Sequence, residues 1–100
     1  MPKQDSFSKM RLLSLLEDAV SFESYDVVEG TGELLTMNIS NKSKKRLKRR
    51  LARLNKNIDI LDNMRLKTVD IKTRRSQIKR VKKNLLRLEN TIFLVKIRNQ

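Results

Sequence analysis

Histidine, cysteine and tryptophan do not occur in this chain. Without His, the side chain best suited to proton transfer near neutral pH is missing, along with the commonest nitrogen ligand for metals. Without Cys there is no thiolate nucleophile, no disulfide framework and no Cys-based metal site, a pattern that fits a reducing interior. Neither a Gly-rich phosphate loop nor a GxSxG elbow is present. The nearest carboxylate pairs are Glu17 with Asp18 and Asp59 with Asp62. The second pair lies one turn apart beside Lys56 and Arg65, where ordinary helix ion pairs account for it. An enzyme is therefore not expected, and neither a cofactor nor a metal is implied.

Chain breakers are nearly as scarce. With 2 Gly and 1 Pro in 100 residues, a mainly α fold is expected. Aromatic residues make up 4%, so base stacking of single strands should be minor. No run of about 18 apolar residues occurs, so no membrane span is expected. The opening MPKQDSFSKMRLLSLLEDAV places bases ahead of an apolar patch, but Glu17 and Asp18 interrupt it and no small-residue cleavage site follows. It reads as mature protein, and the expected location is intracellular: cytoplasm, nucleoid or the inside of a virion.

Leu, Ile, Val and Phe supply 31 of the residues, above the ~20% below which a charged chain usually stays disordered. One folded unit is expected, although 35% of residues are charged. A chain of this length buries roughly 60 to 70% of its unfolded surface. The charge is divided unevenly. Residues 1–40 carry seven acids (Asp5, Glu17, Asp18, Glu23, Asp26, Glu29, Glu33) against Lys3, Lys9 and Arg11, a net of −4. Residues 41–100 carry 21 Lys and Arg against Asp59, Asp62, Asp70 and Glu89, a net of +17, and the two parts give the +13 of the whole. Such asymmetry predicts a division of labour between 1–40 and 41–100.

In the acidic part, Ser6 or Ser8 is placed to cap a helix over about 9–24. Leu12, Leu15, Leu16, Ala19, Val20 and Phe22 share one broad face of it, with Leu13 at the edge. That face is expected to pack on the core, with a partner-docking groove as the alternative. From Tyr25 the period changes: Leu35, Met37 and Ile39 alternate with polar residues, and Gly30-Thr31-Gly32 precedes them. The pattern predicts a short β-hairpin with strands near 25–29 and 34–39. A loop leading into a short helix from Thr31 is the competing reading.

The basic part is regular. After an N-cap at Ser40, Asn41 or Ser43, the residues Leu47, Leu51, Leu54, Ile58 and Leu61 follow at spacings of 4, 3, 4 and 3. A turn is expected near 66–70, with Thr68 or Asp70 as the next cap. A second helix then carries Ile78, Val81, Leu85, Leu88, Ile92 and Val95 at the same spacing. Two helices with matching seams predict an antiparallel, coiled-coil-like helical hairpin that self-associates through its seams into a homo-oligomer. The alternative is one helix over 43–98, about 80 Å long, which needs a second chain to cover its seam. Ile92, Phe93, Leu94, Val95 and Ile97 are apolar around nearly the whole helix. They are expected to be buried against the first helix or a second copy, or else to form a short strand.

Around the seams lie Lys42, Lys44, Lys45, Arg46, Lys48, Arg49, Arg50, Arg53 and Lys56, then Arg74, Arg75, Lys79, Arg80, Lys82, Lys83 and Arg87. Solvated helix faces usually interleave Glu with Lys. From 42 to 56 there is no acid, and pairs such as Lys45 with Arg49 repel. Those sixteen residues therefore predict a surface for a polyanion, of which nucleic acid, DNA or RNA, is the best candidate. Arg suits phosphate and guanine edges through its planar fork. No zinc-finger spacing, aromatic RNP strand or Gly-containing helix-turn-helix turn accompanies it. A membrane surface is disfavoured, because the Leu47 seam is narrow and Trp is absent. The second reading is a structural coiled-coil component of a virion or ribonucleoprotein that meets an acidic protein partner. Small size, many Lys, Asn and Ile, and extreme basicity resemble accessory or regulatory proteins of phages and mobile elements. The acids of 17–33 are a further candidate partner, as a face that masks the basic 42–56 helix.

Overall fold

Three α-helices make up the computed structural model: α1 (Pro2–Leu35), α2 (Asn41–Arg65) and α3 (Ile71–Arg98). It describes residues 2–67 and 69–99, with side chains from residue 9 onward. Thr68, one of the two caps expected for the last helix, lies outside the described residues. Pro2 opens α1, where its missing N–H needs no partner. Ser40 caps α2 by accepting from the Ser43 N–H at 3.2 Å. Asp70 caps α3 by accepting from the Thr73 N–H at 3.3 Å, and hydrogen bonding from the Thr73 side chain, then from its N–H, holds its carboxyl below the ordinary carboxylate value.

The helices alternate in direction. Gln77 of α3 donates to the Asn57 carbonyl of α2 at 2.9 Å, while Lys42 and Ser43 meet Val95 and Arg98 at the other end of the pair. Arg65, at the end of α2, and Arg74, at the start of α3, both reach Glu17 of α1. The core runs along the centre of this bundle. Leu47, Leu54 and Leu61 from α2 and Ile78, Val81, Leu85, Leu88 and Val95 from α3 are buried, with Leu51, Ile58 and Ile92 packed against them. From α1 come Leu13, Val20 and Leu34, and Ile39 of the connecting segment closes one end. The result is elongated, 57 × 21 × 16 Å.

Several expectations are corrected here. No strand occurs among the described residues, and 25–35 continues α1 in place of the expected hairpin. Neither Gly30 nor Gly32 adopts a positive φ, so the turn that their presence suggested is not made. The helix expected over 9–24 thus runs from Pro2 to Leu35. Its buried face also differs. Leu13, Glu17, Val20, Ser24, Thr31 and Leu34 are buried, while Leu12, Leu15, Leu16, Ala19 and Phe22 are exposed. Two of the bonding groups on that inner face are satisfied locally or not at all: the Thr31 hydroxyl donates to the Val27 carbonyl at 2.7 Å, and Ser24 Oγ has no partner. In α3 only Val95 of the expected C-terminal apolar cluster is buried and Ile92 half-buried, whereas Phe93, Leu94 and Ile97 are exposed. That segment packs against Val27 of α1 and the first turns of α2, not against the 12–22 stretch. The single helix over 43–98 is excluded, because α2 ends at Arg65 and α3 begins at Ile71.

Candidate nucleic-acid interface

From Asn41 to Ile58 no acid interrupts α2. At 3.6 residues per turn, Arg46, Arg49, Arg50 and Arg53 fall at i, i+3, i+4 and i+7 and share one face. On α3, Arg80, Lys83, Arg87 and Arg98 form another by the same rule. Opposite helix directions bring the two rows together on the side of the α2–α3 junction turned away from α1. An open groove of about 390 Å³ lies there, lined by Arg46, Arg49, Arg50, Arg87, Asn90, Thr91 and Leu94. Lys42 and Arg98 extend it past Arg46 to the helix ends. The other side of the pair is covered by α1: Asn55, Ile58, Asp62 and Arg65 face Ser21, Tyr25 and Val28.

The sixteen basic residues expected at the interface are thereby sorted. By helical position Lys42, Arg46, Arg49, Arg50, Arg53, Arg80, Lys83 and Arg87 belong to the groove. Lys45, Lys56 and Lys79 stand exposed on the outer backs of their helices. Lys44, Lys48, Arg75 and Lys82 lie on the flanks beside α1. Arg74 is a correction, since its side chain is 12% exposed and is committed to the protein interior. Its guanidinium donates twice to Glu17, at 2.9 Å from Nε to Oε1 and 2.8 Å from Nη2 to Oε2. Arg65 approaches the same carboxylate at 3.2 Å and donates to Asp18 at 2.8 Å. Sequence reasoning missed Arg98 as a groove residue, although it continues the row 87, 91, 94, 98 at helical spacing. No sequence signal marks Arg65 and Arg74 as structural, because their partners lie 47 and 57 residues away.

Electrostatically the groove is one-signed. The ion pairs among the described residues all belong to Arg65 and Arg74, so the groove bases have no carboxylate partner there. Asp59 and Asp62 turn toward the α1 flank of α2. Glu89 is held between α1 and α3, where burial, then the neighbouring charge of Glu23, raises its pKa above the ordinary 4.5. The expectation that the acids of α1 mask 42–56 is not met. Glu17 and Asp18 pair with Arg65 and Arg74, and Asp26, Glu29 and Glu33 are exposed on the outer face of α1. Among the described residues no group of three or more possible metal ligands occurs. No described helix is long and apolar enough to cross a membrane. Compared with protein-family models, curated proteins and solved structures, the chain matches none of them.

Proposed function

We propose that the protein is a non-enzymatic nucleic-acid-binding protein that seats a phosphate backbone in the α2–α3 groove. One observation carries the reading: two rows of bases from separate helices converge on one side without a carboxylate between them, while the few acids of α2 and α3 are turned elsewhere. Like charges at this spacing repel; phosphates neutralise them, and the Lys and Arg side chains release the counterions condensed on the nucleic acid. The row from Lys42 to Arg53 spans about 17 Å and that from Arg80 to Arg98 about 27 Å at 1.5 Å per residue. Measured along a duplex axis, these lengths correspond to roughly five to eight base-pair steps at 3.4 Å per phosphate of one strand.

A salt titration of binding to duplex DNA, duplex RNA and heparin tests it. Affinity should fall with a log–log slope of about −5 to −9 on B-DNA, as six to ten phosphate contacts require. Arg49→Ala with Arg87→Ala should flatten that slope by roughly 2. The equally charged change Lys44→Ala with Lys48→Ala, on the α1 flank, should weaken binding less. A flat salt dependence overturns the reading, and equal effects of the two pairs remove the groove from it. Tight heparin binding with none to either duplex favours the acidic protein partner instead.

A further inference from the structure

The C-terminal half of α3 leaves large apolar side chains in solvent. Leu86, Phe93, Leu94 and Ile97 are 59%, 64%, 46% and 49% exposed. At 3.6 residues per turn they fall within an arc of about 100°, with Asn90 among them. The buried residues Val81, Leu85, Leu88 and Val95 lie on the opposite side of the helix. Because α1 and α2 both pack on that buried side, the exposed residues form a convex crest about 17 Å long, turned away from the rest of the bundle. An uncovered apolar stripe of this kind marks a contact surface.

The rim of the stripe identifies its occupant. By helical position Lys82 and Lys96 border it on the α1 side, and Lys83, Arg87 and Arg98 on the α2 side; all five are exposed. Within α3 the one acid is Glu89, which is half-buried and turned toward Glu23 of α1. Asp26, Glu29 and Glu33 lie farther round α1, whose axis stands behind the crest by about one interhelical distance, 8–10 Å. The exposed leucines of α1 have no such rim, since Asp18, Glu23 and Asp26 stand beside them. An apolar crest with basic residues on both sides fits a surface that is anionic outside and apolar beneath. That is an anionic bilayer: the crest enters the acyl boundary while the flanking lysines reach back to the headgroups. Duplex nucleic acid offers phosphates but no apolar layer. A second copy would set one basic rim against another. An acidic protein would need a groove shaped to the crest, whereas a fluid interface takes it without one. The narrow seam that disfavours a membrane surface is the one inside the bundle, and the exposure of Phe93, Leu94 and Ile97 supplies a separate outer face.

We propose that α3 lays its outer face, from Leu86 to Ile97, on an anionic bilayer surface as a peripheral contact. This goes beyond the nucleic-acid reading and does not rest on it, since Leu86, Phe93 and Ile97 do not line the groove. The chain has no Trp, so Phe93→Trp and Phe22→Trp each place a single fluorescent reporter at an exposed site. With vesicles of mixed phosphatidylcholine and phosphatidylserine at ordinary salt, the emission of Phe93→Trp should move to the blue and that of Phe22→Trp should not. Vesicles of phosphatidylcholine alone, or duplex DNA, should move neither. Phe93→Ser with Ile97→Ser keeps the net charge and should lower co-sedimentation with the mixed vesicles at least ~tenfold. Its melting, followed by circular dichroism, should match that of the parent, because both side chains are exposed. Leu12→Ser with Phe22→Ser, on the face bordered by acids, should leave co-sedimentation nearly unchanged. No blue shift at position 93, or equal shifts at both positions, overturns the proposal. So does equal loss from the two Ser pairs, or none from either, because adsorption then follows net charge alone. A shift that duplex DNA also produces overturns it by removing the need for an apolar phase. A shift that grows with protein concentration in the absence of vesicles overturns it by making a second copy the occupant.

Discussion

Gly30 and Gly32 lie within α1 with open space where a Cβ would stand. In a helix interior glycine costs roughly 0.5–1 kcal/mol relative to alanine, because the unfolded chain loses more freedom at that position. Gly30→Ala and Gly32→Ala should therefore each raise stability by about that amount, and their effects should add to a rise in Tm of several degrees. A hairpin turn at these positions would give the opposite sign, so a thermal melt distinguishes the two backbones. Glu89 shows a second effect at this scale. The native state holds its proton more tightly than the unfolded chain does, because burial and Glu23 both disfavour the charged form. Its contribution to stability is full below the unfolded value and is lost as pH rises through the raised native pKa. At neutral pH the ionised Glu89 thus opposes folding, and Glu89→Gln should raise Tm there. Because the group is largely solvated the gain should stay below the ~4–8 °C that a full 1 kcal/mol gives in a domain of this size. Repeating the melts toward pH 4 should erase the difference.

At the scale of elements, α2 and α3 were legible and α1 was not. Spacings of 4 and 3 marked the seams of α2 and α3 because every seam position is apolar, and packing needs nothing else there. The inner face of α1 follows the same spacing through Leu13, Glu17, Val20, Ser24, Val27, Thr31 and Leu34, but three of these are polar. The outer face holds more leucine than the inner one. A reading by hydrophobicity alone therefore chooses the wrong side, and only the tertiary partners of Glu17 explain why a carboxylate sits at a seam position. The basic rows were legible for the same reason that the seams were, since residue type and helical period suffice to place them. Arg74 was not, because its assignment depends on a helix distant in sequence. Glu17 is fully buried, and both its oxygens are occupied by guanidinium groups. Removing one partner of such a pair leaves the other charge uncompensated, at a cost of roughly 3–5 kcal/mol. Glu17→Gln should lower the free energy of unfolding by about 3 kcal/mol in urea denaturation. Glu17→Leu combined with Arg74→Met should recover most of that loss, since well-packed apolar replacements for a buried pair are often neutral. Recovery would assign the pair to alignment of the three helices more than to net stabilisation.

Taken whole, the molecule is two-sided. Its Cα radius of gyration, 16.3 Å, exceeds the ~13 Å expected of a rounded chain of 100 residues, because three long helices lie side by side. The basic groove and the outer face of α1 point in opposite directions, separated by the thickness of the bundle. Screening over about 8–10 Å at ordinary salt leaves little direct interaction between them. Changing Glu29 and Glu33 to Gln should therefore raise nucleic-acid affinity no more than changing Asp59 and Asp62 to Asn, which alters net charge equally. Fluorescence anisotropy at a single salt concentration suffices for the comparison. A markedly larger effect of the α1 pair would show that its acids reach the groove.

The polar inner face of α1 also sets an order of assembly. The α2–α3 contacts join segments separated by a five-residue connection, and apolar side chains dominate them. Loop closure there is inexpensive, so this pair is the natural folding nucleus. Docking α1 buries Glu17, Ser24 and Thr31 with only part of the apolar gain, and Ser24 Oγ goes in without a partner. The helix that docks with the least gain is the first to come away in local openings of the native state. Amide hydrogen exchange should accordingly find the backbone of α1 protected by less than the global unfolding free energy, with the buried turns of α2 and α3 at the full value. A slow-exchanging α1 would mean instead that all three helices open as one cooperative unit.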